Sequence, residues 1–194
     1  MGTTAIVGNS IPVGIGLGLA NNIKKQNSIS YIFLGDGATE EGVFYESVNF
    51  AALKNIPVVF ICENNFYSVY SSLKDRQPKE RNIIKIVEGM GVKSIRSKSK
   101  SIEEIYNVIK YGVNFSKKNR KPVFLEFETY RWLEHCGPNN DDDLKYRDDL
   151  LTNKFKKNDF LKILEHKLPI GFIKKVKFEN SKLISKAFKF AENS

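Results

Sequence analysis

Apolar runs alternate with amphipathic segments along the first two thirds of the chain. The short apolar runs predict four strands, at residues 28–34, 58–62, 92–96 and 123–127. The segments with helical spacing predict four helices, at residues 8–26, 41–54, 83–89 and 101–115. This alternation is typical of an α/β fold in which helices flank a parallel sheet. We expect residues 31–34 to be buried on both faces, as strands of parallel sheets usually are.

Glycines recur in the first predicted helix, at Gly14, Gly16 and Gly18. Glycine lowers helix propensity, so we expect these three residues to serve close packing against a neighbouring backbone or a cofactor.

From residue 150 onward the pattern is helical and basic. Apolar positions recur in two segments, which Pro169 and Gly171 separate. The formal net charge is +9, and residues 151–194 hold eleven lysines, no arginine and four acidic residues. Because no nucleic-acid-binding motif occurs, this favours a solvated, lysine-rich surface over a nucleic-acid site. We predict an α/β domain at residues 1–149 and a basic helical extension at residues 150–194.

Glycines and polar residues stand where the first two predicted strands end. Gly35, Asp36 and Gly37 follow the first strand, and Asn64 and Asn65 follow the second. Open α/β sheets bind ligands in the crevice beyond the carboxyl ends of their strands. One β-α-β crossover would bring Asp36 and Asn65 side by side, where their oxygen atoms suit an octahedral cation that keeps phosphate ligands. Magnesium is the natural candidate.

The backbone after the first strand suits a phosphate group. Gly35 and Gly37 allow a ligand to approach closely, and free N–H groups near residues 38–40 attract an anion. The stretch therefore predicts a magnesium-diphosphate site.

The spacing of these residues resembles that of thiamine-diphosphate-dependent enzymes, whose signature is GDG, about 26 intervening residues and NN. Residues 38–63 provide 26 positions between the two motifs. Three blocks narrow the resemblance to the alpha subunit of 2-oxo acid dehydrogenases, namely AIVGNSIPVGIGLGLA, ENNFYSVYSS and PVFLEFETYRWLEHCGPNNDD. The resemblance covers residues 1–149 and implies the thiamine diphosphate-binding fold there.

The resemblance also implies roles for individual residues. The side chains of Asp36 and Asn65 and the backbone carbonyl of Tyr67 would hold Mg²⁺. Residues from several parts of the chain would bind thiamine diphosphate: Ala5, Val7, Gly35, Asp36, Gly37, Ala38, Asn65, Tyr67, Ser68, Val69 and His135. Of these, Ala5 and Val7 would contact the aminopyrimidine ring through backbone groups, and Gly37 and Ala38 would bind the diphosphate.

His135 is the candidate catalytic residue. It lies in a long predicted loop, residues 129–149, beyond another strand end. A single loop histidine is more often a surface residue, but in the resembled family the second histidine of this loop lies over the cofactor diphosphate. An imidazole that titrates near neutrality can orient or protonate a reacting group there. Leu133 stands where many members have a first histidine, and Cys136 stands where some have serine, which bears on substrate handling.

The implied function is that of the alpha subunit of an E1 dehydrogenase. Such an enzyme decarboxylates a 2-oxo acid oxidatively, or cleaves acetoin, and passes the acyl group to lipoamide. In this family a separate beta subunit carries the glutamate that activates the cofactor. We therefore expect a beta subunit in an α2β2 heterotetramer, with a lipoyl-bearing acyltransferase as acyl acceptor.

Other interpretations remain open. Family alpha subunits have roughly a hundred further residues before the position of Met1, as judged from usual domain sizes. A truncated, non-catalytic or assembly-only fragment is therefore the main alternative. A response-regulator-like or nucleotide-binding module leaves Asn64 and Asn65 unexplained, and no Walker-type sequence occurs. The acids at residues 141–143 offer another metal cluster, but we expect this run to be solvated.

Composition bears on the compartment. With 194 residues, of which 41% are apolar and 27% charged, the chain matches a soluble globular protein with one substantial core. Cys62 and Cys136 form neither a disulfide framework nor a metal-ligand spacing, which favours a reducing compartment. No signal peptide is evident, and the apolar residues 11–20 are too few to span a membrane. We predict a cytoplasmic protein with neither a membrane nor a nucleic-acid partner.

Overall fold

All four predicted strands are present, and they form one parallel sheet. The computed structural model describes residues 2–98 and 101–194. The strands are β1 (Ser30–Gly35), β2 (Val58–Asn64), β3 (Tyr67–Ser68), β4 (Ser71–Ser72), β5 (Lys93–Ser97) and β6 (Val123–Glu128). The sheet has the order β1-β2-β6-β5 with every neighbouring pair parallel, while β3 and β4 form a separate antiparallel pair. The predicted α/β class is confirmed.

Helices connect the strands and continue after them. Along the described residues they are α1 (Ser10–Ile23), α2 (Gly42–Leu53), α3 (Leu73–Arg76), α4 (Ile83–Gly89), α5 (Ile102–Asn119), α6 (Asp149–Lys157), α7 (Phe160–Lys167) and α8 (Ile170–Glu192). Short 3-10 helices lie at Asp36–Glu40 and Asp142–Leu144. The four helices predicted before residue 120 correspond to α1, α2, α4 and α5, with ends that differ by a few residues, as helix ends often do.

An apolar core lies on each face of the sheet. On one face α1, α2 and α4 pack against β1, β2 and β6, around buried side chains such as Phe44, Phe60 and Phe124. On the other face α5 packs against Val59, Leu125 and their neighbours. The sheet is thereby held between helices, and the loops that leave its carboxyl edge carry the candidate site.

Two of the three α1 glycines lie in close contact with the core. A Cβ atom at Gly14 would come within 2.4 Å of the Ile32 side chain, and one at Gly18 within 2.6 Å of the Val58 side chain. A Cβ atom at Gly16 would meet nothing within 4 Å. Gly14 and Gly18 therefore serve close packing, although against side chains and not against a backbone, whereas no atom of the described residues packs on Gly16 and a cofactor contact there stays a prediction.

One face of β1 is exposed. Tyr31 is 48% and Phe33 58% exposed, whereas Ile32 and Leu34 are buried against α1 and α2. The prediction that this strand is buried on both faces is wrong. β1 is an edge strand, and α5 packs on β2, β5 and β6, so among the described residues it does not cover the outer face of β1.

The segment predicted as a loop at residues 64–82 contains short elements. The β3–β4 pair reverses the chain, and α3 follows it with a capping box between Ser72 and Asp75. Elements of two to four residues are too short to leave a hydrophobic period, which explains why the pattern predicts only a loop.

Residues Asn153–Ser194 form a second compact unit, and the first unit ends at Thr152. The second unit is helical, as predicted. Pro169 precedes α8, whereas Gly171 lies in its first turn and does not separate the helices. Many apolar side chains of α8 are exposed, among them Phe178 and Leu183. None of the helices in the described residues is both long enough and apolar enough to cross a membrane.

Candidate functional site

The ends of β1 and β2 lie side by side. The parallel register pairs Gly35 with Glu63, so the residues that follow each strand leave the sheet at the same edge. Asp36 is buried and opens the first 3-10 helix. Its carboxylate accepts a hydrogen bond from the backbone of Asn65, just beyond the end of β2. The structure therefore brings Asp36 and Asn65 together.

Opposing effects act on the Asp36 carboxyl group. Burial raises its pKa above the ordinary 3.8, while hydrogen bonds and the positive charge of Arg76 act to lower it. The hydroxyl of Thr39 donates to the Asp36 carbonyl at 2.7 Å and closes the first turn of the 3-10 helix. Because a buried carboxylate is costly without a partner of opposite charge, this position favours a bound cation.

Two asparagine side chains shape the turn after β2. Asn64 Oδ1 accepts the backbone N–H of Phe66 at 3.0 Å, and Asn65 Oδ1 accepts that of Tyr67 at 2.9 Å. These bonds accompany a left-handed backbone at Phe66, where φ is +69°. A second left-handed residue, Val69, has φ of +54°. β-branched residues rarely adopt this conformation, and such strain is concentrated at functional sites.

A buried glutamate on the neighbouring strand holds this turn through a hydrogen bond to Asn64. Glu126 lies on β6 and is 1% exposed. Its Oε1 accepts Asn64 Nδ2 at 2.8 Å, and its Oε2 accepts Arg96 Nε at 2.8 Å. The hydrophobic pattern predicts this strand but does not identify Glu126. A charged residue inside the apolar run VFLEFE is the signal that would have found it, since buried charges are rare unless they are paired.

Arg76 is a second residue of the site that local sequence patterns do not identify. Its Nη2 lies 2.5 Å from Asp36 Oδ2, and its Nη1 pairs with Glu40. Gln77 donates to the same Glu40 oxygen. No local pattern marks an arginine in a polar segment as a partner of a residue 40 positions earlier.

Gly37 lies against the β3 segment. A Cβ atom at Gly37 would come within 2.8 Å of Ser68 Oγ, so a larger residue there would displace Ser68. Ala38 follows and is buried, while Ser68 and Tyr67 are half-buried. Gly37, Ala38 and Ser68 therefore lie in one neighbourhood.

The segment before α1 lies near the start of α2. Ala5 and Val7 are exposed. A Cβ atom at Gly8 would lie 3.0 Å from Val43 and 3.4 Å from Glu41, which immediately follow the first 3-10 helix. The segment is therefore close to the loop that begins at Asp36, although Ala5 and Val7 themselves have no hydrogen bond to it within the described residues.

The acidic run at residues 141–143 is only partly solvated. Asp142 and Asp143 are exposed, but Asp141 is buried. Asp141 Oδ1 lies 2.6 Å from Arg147 Nη2, and the Tyr146 hydroxyl donates to its Oδ2 at 2.6 Å. Burial acts to raise the pKa of Asp141, but the hydrogen bonds from Tyr146 and Arg147 outweigh it and lower that pKa. The prediction of a solvated run is wrong at Asp141, because the loop folds back and places Arg147 beside it.

Tyr146 and Arg131 join this loop to the turn after β2. The Tyr146 ring packs edge-on against Tyr67 and Tyr70, with centroid distances of 5.6 and 5.0 Å. Arg131 Nη2 donates to the Val69 carbonyl at 2.6 Å and to the Tyr146 hydroxyl at 2.9 Å. Burial and the hydrogen bond to Asp141 raise the pKa of Tyr146 to about 12, so its hydroxyl stays protonated and continues to donate. The loop after β6 is thereby attached to the segment that contains Tyr67 and Val69.

His135 lies at the exposed side of this loop. Its neighbour Glu134 is held by Asn139, whose side-chain Nδ2 donates to Glu134 Oε1 at 2.7 Å. Within the described residues His135 has no hydrogen bond to Asp36, Asn65 or Tyr67. The structure therefore brings Asp36 and Asn65 together, while His135 is exposed and makes no hydrogen bond to them within the described residues.

The residues at the edge of the sheet fit a magnesium-diphosphate group. One buried carboxylate, one amide oxygen and nearby backbone carbonyls form a set of hard oxygen donors, which Mg²⁺ prefers. The Arg76 guanidinium beside Asp36 shows that this carboxylate accepts a cation. No cluster of three or more His, Cys, Asp or Glu residues is placed to hold a metal anywhere in the described chain, so this set depends on amide and carbonyl oxygens beside the one carboxylate.

Comparisons with known proteins agree with the resemblance in the motifs. The family described as dehydrogenase E1 component matches residues 1–194. The pyruvate dehydrogenase E1 component subunit alpha of Rickettsia felis is 35% identical over the whole of this chain and 60% of its own length. The mitochondrial protein of the same description from Saccharomyces cerevisiae is 29% identical over 88% of this chain and 40% of its own length. The chain therefore spans about 60% of the length of the Rickettsia relatives.

Solved transketolases share the fold. A transketolase variant from Pichia stipitis is 22% identical with a TM-score of 0.56, over 66% of this chain and 20% of the transketolase. The transketolase of Campylobacter jejuni is 22% identical with a TM-score of 0.52, over 63% of this chain and 19% of its own. Similarity at this level concerns the fold alone, and it confirms the predicted thiamine diphosphate-binding fold.

Proposed function

Since the chain belongs to the dehydrogenase E1 component family, we propose that it acts as the alpha part of a thiamine-diphosphate- and Mg²⁺-dependent E1 enzyme. The reaction would be oxidative decarboxylation of a 2-oxo acid, or cleavage of acetoin, with transfer of the acyl group to lipoamide. The observation that carries the proposal is the meeting of Asp36 and Asn65 at the adjoining ends of β1 and β2. When bound, thiamine diphosphate supplies the stabilisation of the carbanion left by decarboxylation.

The residues of the chain would bind and orient that cofactor. Asp36, the Asn65 side chain and the Tyr67 carbonyl would hold Mg²⁺, which suits their hard oxygen atoms. The N–H groups at Gly37 and Ala38, near the start of a helix, would bind the diphosphate. The remaining predicted contacts, which lie around this edge of the sheet, are Ala5, Val7, Gly35, Ser68 and Val69.

His135 would orient or protonate the reacting group. The loop that carries it is attached to the Val69 carbonyl through Arg131, which supports a position next to the cofactor.

A partner is part of the proposal. The relatives are named as subunits alpha, which supports pairing with a beta subunit. We propose an α2β2 heterotetramer, with a lipoyl-bearing acyltransferase as acyl acceptor. A cytoplasmic location stays a prediction, since the Saccharomyces relative is named as mitochondrial.

Isothermal titration with thiamine diphosphate and Mg²⁺ together tests the function, using the chain alone and with its candidate beta subunit. We expect Mg²⁺-dependent binding that appears or tightens with the partner and disappears in Asp36→Ala. Asp143→Ala removes the same charge from an exposed position and should bind as the unchanged chain does. If neither preparation binds the cofactor while circular dichroism shows both to be folded, the catalytic assignment is refuted.

An assembly-only role is the second candidate. It is favoured by the exposure of His135, which makes no hydrogen bond to Asp36 or Asn65 among the described residues. In that case the chain would co-elute with the beta subunit in size-exclusion chromatography, but the complex would show no Mg²⁺-dependent cofactor binding.

A further inference from the structure

Arg76 lies on the side of Asp36 where a cation would bind. Its Nη2 is 2.5 Å from Asp36 Oδ2, and the two side chains are only 12% and 2% exposed. Its Nη1 pairs with Glu40, the last residue of the 3-10 helix that Asp36 begins. One guanidinium group thus pairs with the acidic residues at both ends of this helix.

This ion pair and a metal ion compete for Asp36 Oδ2. Mg²⁺ binds carboxylate oxygens at about 2.0–2.1 Å and requires an octahedral set of ligands around it. The guanidinium group of Arg76 fills the space beside Oδ2, and the Asn65 backbone already donates to the same carboxylate. Two neighbouring cations would also repel each other strongly, because little water is present to screen them.

The position of Arg76 allows it to leave Asp36. It is the last residue of α3, a four-residue helix outside the sheet. Glu40 is more exposed than Asp36, at 28% of its side chain, and can keep the guanidinium group after Asp36 is released. Arg76 Nη1 lies 3.7 Å from the position of a Cβ atom on Gly37, so the retained group stays beside the Gly37 backbone.

We propose that Arg76 is an exchangeable counter-cation of the metal site. It neutralises Asp36 in the metal-free chain, and it moves to Glu40 alone when a divalent cation binds Asp36. This inference rests on the proposed function for the position of the metal. Exchange lowers the affinity for the metal, because binding must first break a charge-assisted hydrogen bond. It also keeps the buried carboxylate paired while the cofactor is absent.

Binding of Mn²⁺ alone tests the exchange. Mn²⁺ shares the preference of Mg²⁺ for oxygen ligands, and the loss of its free electron paramagnetic resonance signal reports binding without any turnover. Arg76→Met removes the charge and keeps most of the side-chain stem. We expect it to bind Mn²⁺ about tenfold more tightly than the unchanged chain, since one charged hydrogen bond no longer competes.

Arg81→Met is the matched control. Arg81 Nη2 donates to the Thr39 carbonyl at 2.7 Å and to the Tyr45 hydroxyl at 3.0 Å, so it binds the same 3-10 helix and carries the same charge. This variant should change the Mn²⁺ affinity by less than about twofold, because within the described residues Arg81 bonds to Thr39 and Tyr45 and not to the Asp36 carboxylate. Arg76→Lys retains a cation and should bind Mn²⁺ nearly as weakly as the unchanged chain.

The outcomes separate the exchange from the metal site itself. Tighter binding in Arg76→Met, with binding abolished by Asp36→Asn, supports the inference. Equal affinity of the unchanged chain and Arg76→Met, still abolished by Asp36→Asn, overturns the exchange and leaves the metal site intact. Absence of binding in both overturns the exchange in this chain, and the titration with thiamine diphosphate and the beta subunit then decides whether the metal site itself fails. If Arg76→Met fails to fold, as judged by circular dichroism, Arg76→Gln replaces it with the same expectation.

Discussion

Replacement of Glu126 by glutamine should weaken the support beneath the Asn64–Asn65 turn. Glu126→Gln keeps the size of the side chain, and its Oε1 can still accept Asn64 Nδ2. At the other end an amide N–H would face Arg96 Nε, which is also a donor, so the bond of 2.8 Å is lost. The change therefore tests one buried charge-assisted hydrogen bond.

The size of the effect follows from the exposure of the two partners. Loss of a hydrogen bond to a charged group costs about 1.5–3 kcal/mol. The Arg96 side chain is 39% exposed and can turn toward water, so we expect the lower half of this range, about 1.5–2 kcal/mol. For a chain of this length such a loss lowers Tm by about 3–8 °C.

Urea denaturation monitored by circular dichroism measures this loss. The slope of the free energy of unfolding against urea concentration should stay unchanged. Glu63→Gln is the control, because Glu63 is exposed at the end of β2, and it should change the free energy of unfolding by less than about 0.5 kcal/mol. A double-mutant cycle with Arg96→Met should give a coupling of about 1 kcal/mol or more. A loss below about 0.5 kcal/mol for Glu126→Gln, or no coupling to Arg96, would refute the reasoning.

Three further predictions concern packing, pH and thiol reactivity. Gly18→Ala places a methyl group within 2.6 Å of the core and should lower the free energy of unfolding in urea by about 1–3 kcal/mol, whereas Gly16→Ala meets open space and should raise it by up to about 1 kcal/mol. Burial acts to raise the pKa of Asp141, but hydrogen bonds hold it below 3.8, so its contribution to stability is present above that pH and is lost as the pH falls through its folded pKa. Asp141→Asn should therefore be less stable than the unchanged chain at pH 7, with a difference that disappears in unfolding measurements at lower pH; a constant difference would contradict this. Burial raises the pKa of the Cys62 thiol well above 9.0, and Cys136 is exposed, so Ellman's reagent should label one thiol in the folded chain and two in urea, and rapid labelling of both in the folded chain would contradict the assignment.

Local patterns in the sequence predict most of the fold. Apart from the short elements at residues 67–76, the strand and helix positions up to residue 128 follow from hydrophobic spacing, because each element must turn an apolar face toward the core. The same patterns predict that Asp36 and Asn65 come together, since one β-α-β unit joins the ends of neighbouring parallel strands. The second glycine of GDG and the asparagine pair can be recognised from the short motif alone.

Local patterns do not predict that one face of β1 is exposed. Whether Tyr31 and Phe33 are covered depends on the order of the strands and on where α5 lies, and neither is encoded in the spacing of apolar residues along β1. The burial of Asp141 cannot be predicted from local patterns either, because it depends on a loop that folds back to place Arg147 beside it. A run of three acids carries no signal that one of them is buried.

The sequence by itself determined the parallel α/β scaffold and the pair Asp36 and Asn65, since both depend on periodicity and on one crossover. Only the tertiary structure decided which distant side chains meet that pair. Arg76 reaches Asp36, Glu126 supports Asn64, and Arg131 holds the Val69 carbonyl across separations of 40, 62 and 62 residues. Such contacts depend on strand order and on the path of whole loops, and many different side chains satisfy the same local pattern. The charge balance and rigidity of the site are therefore properties of the assembled fold.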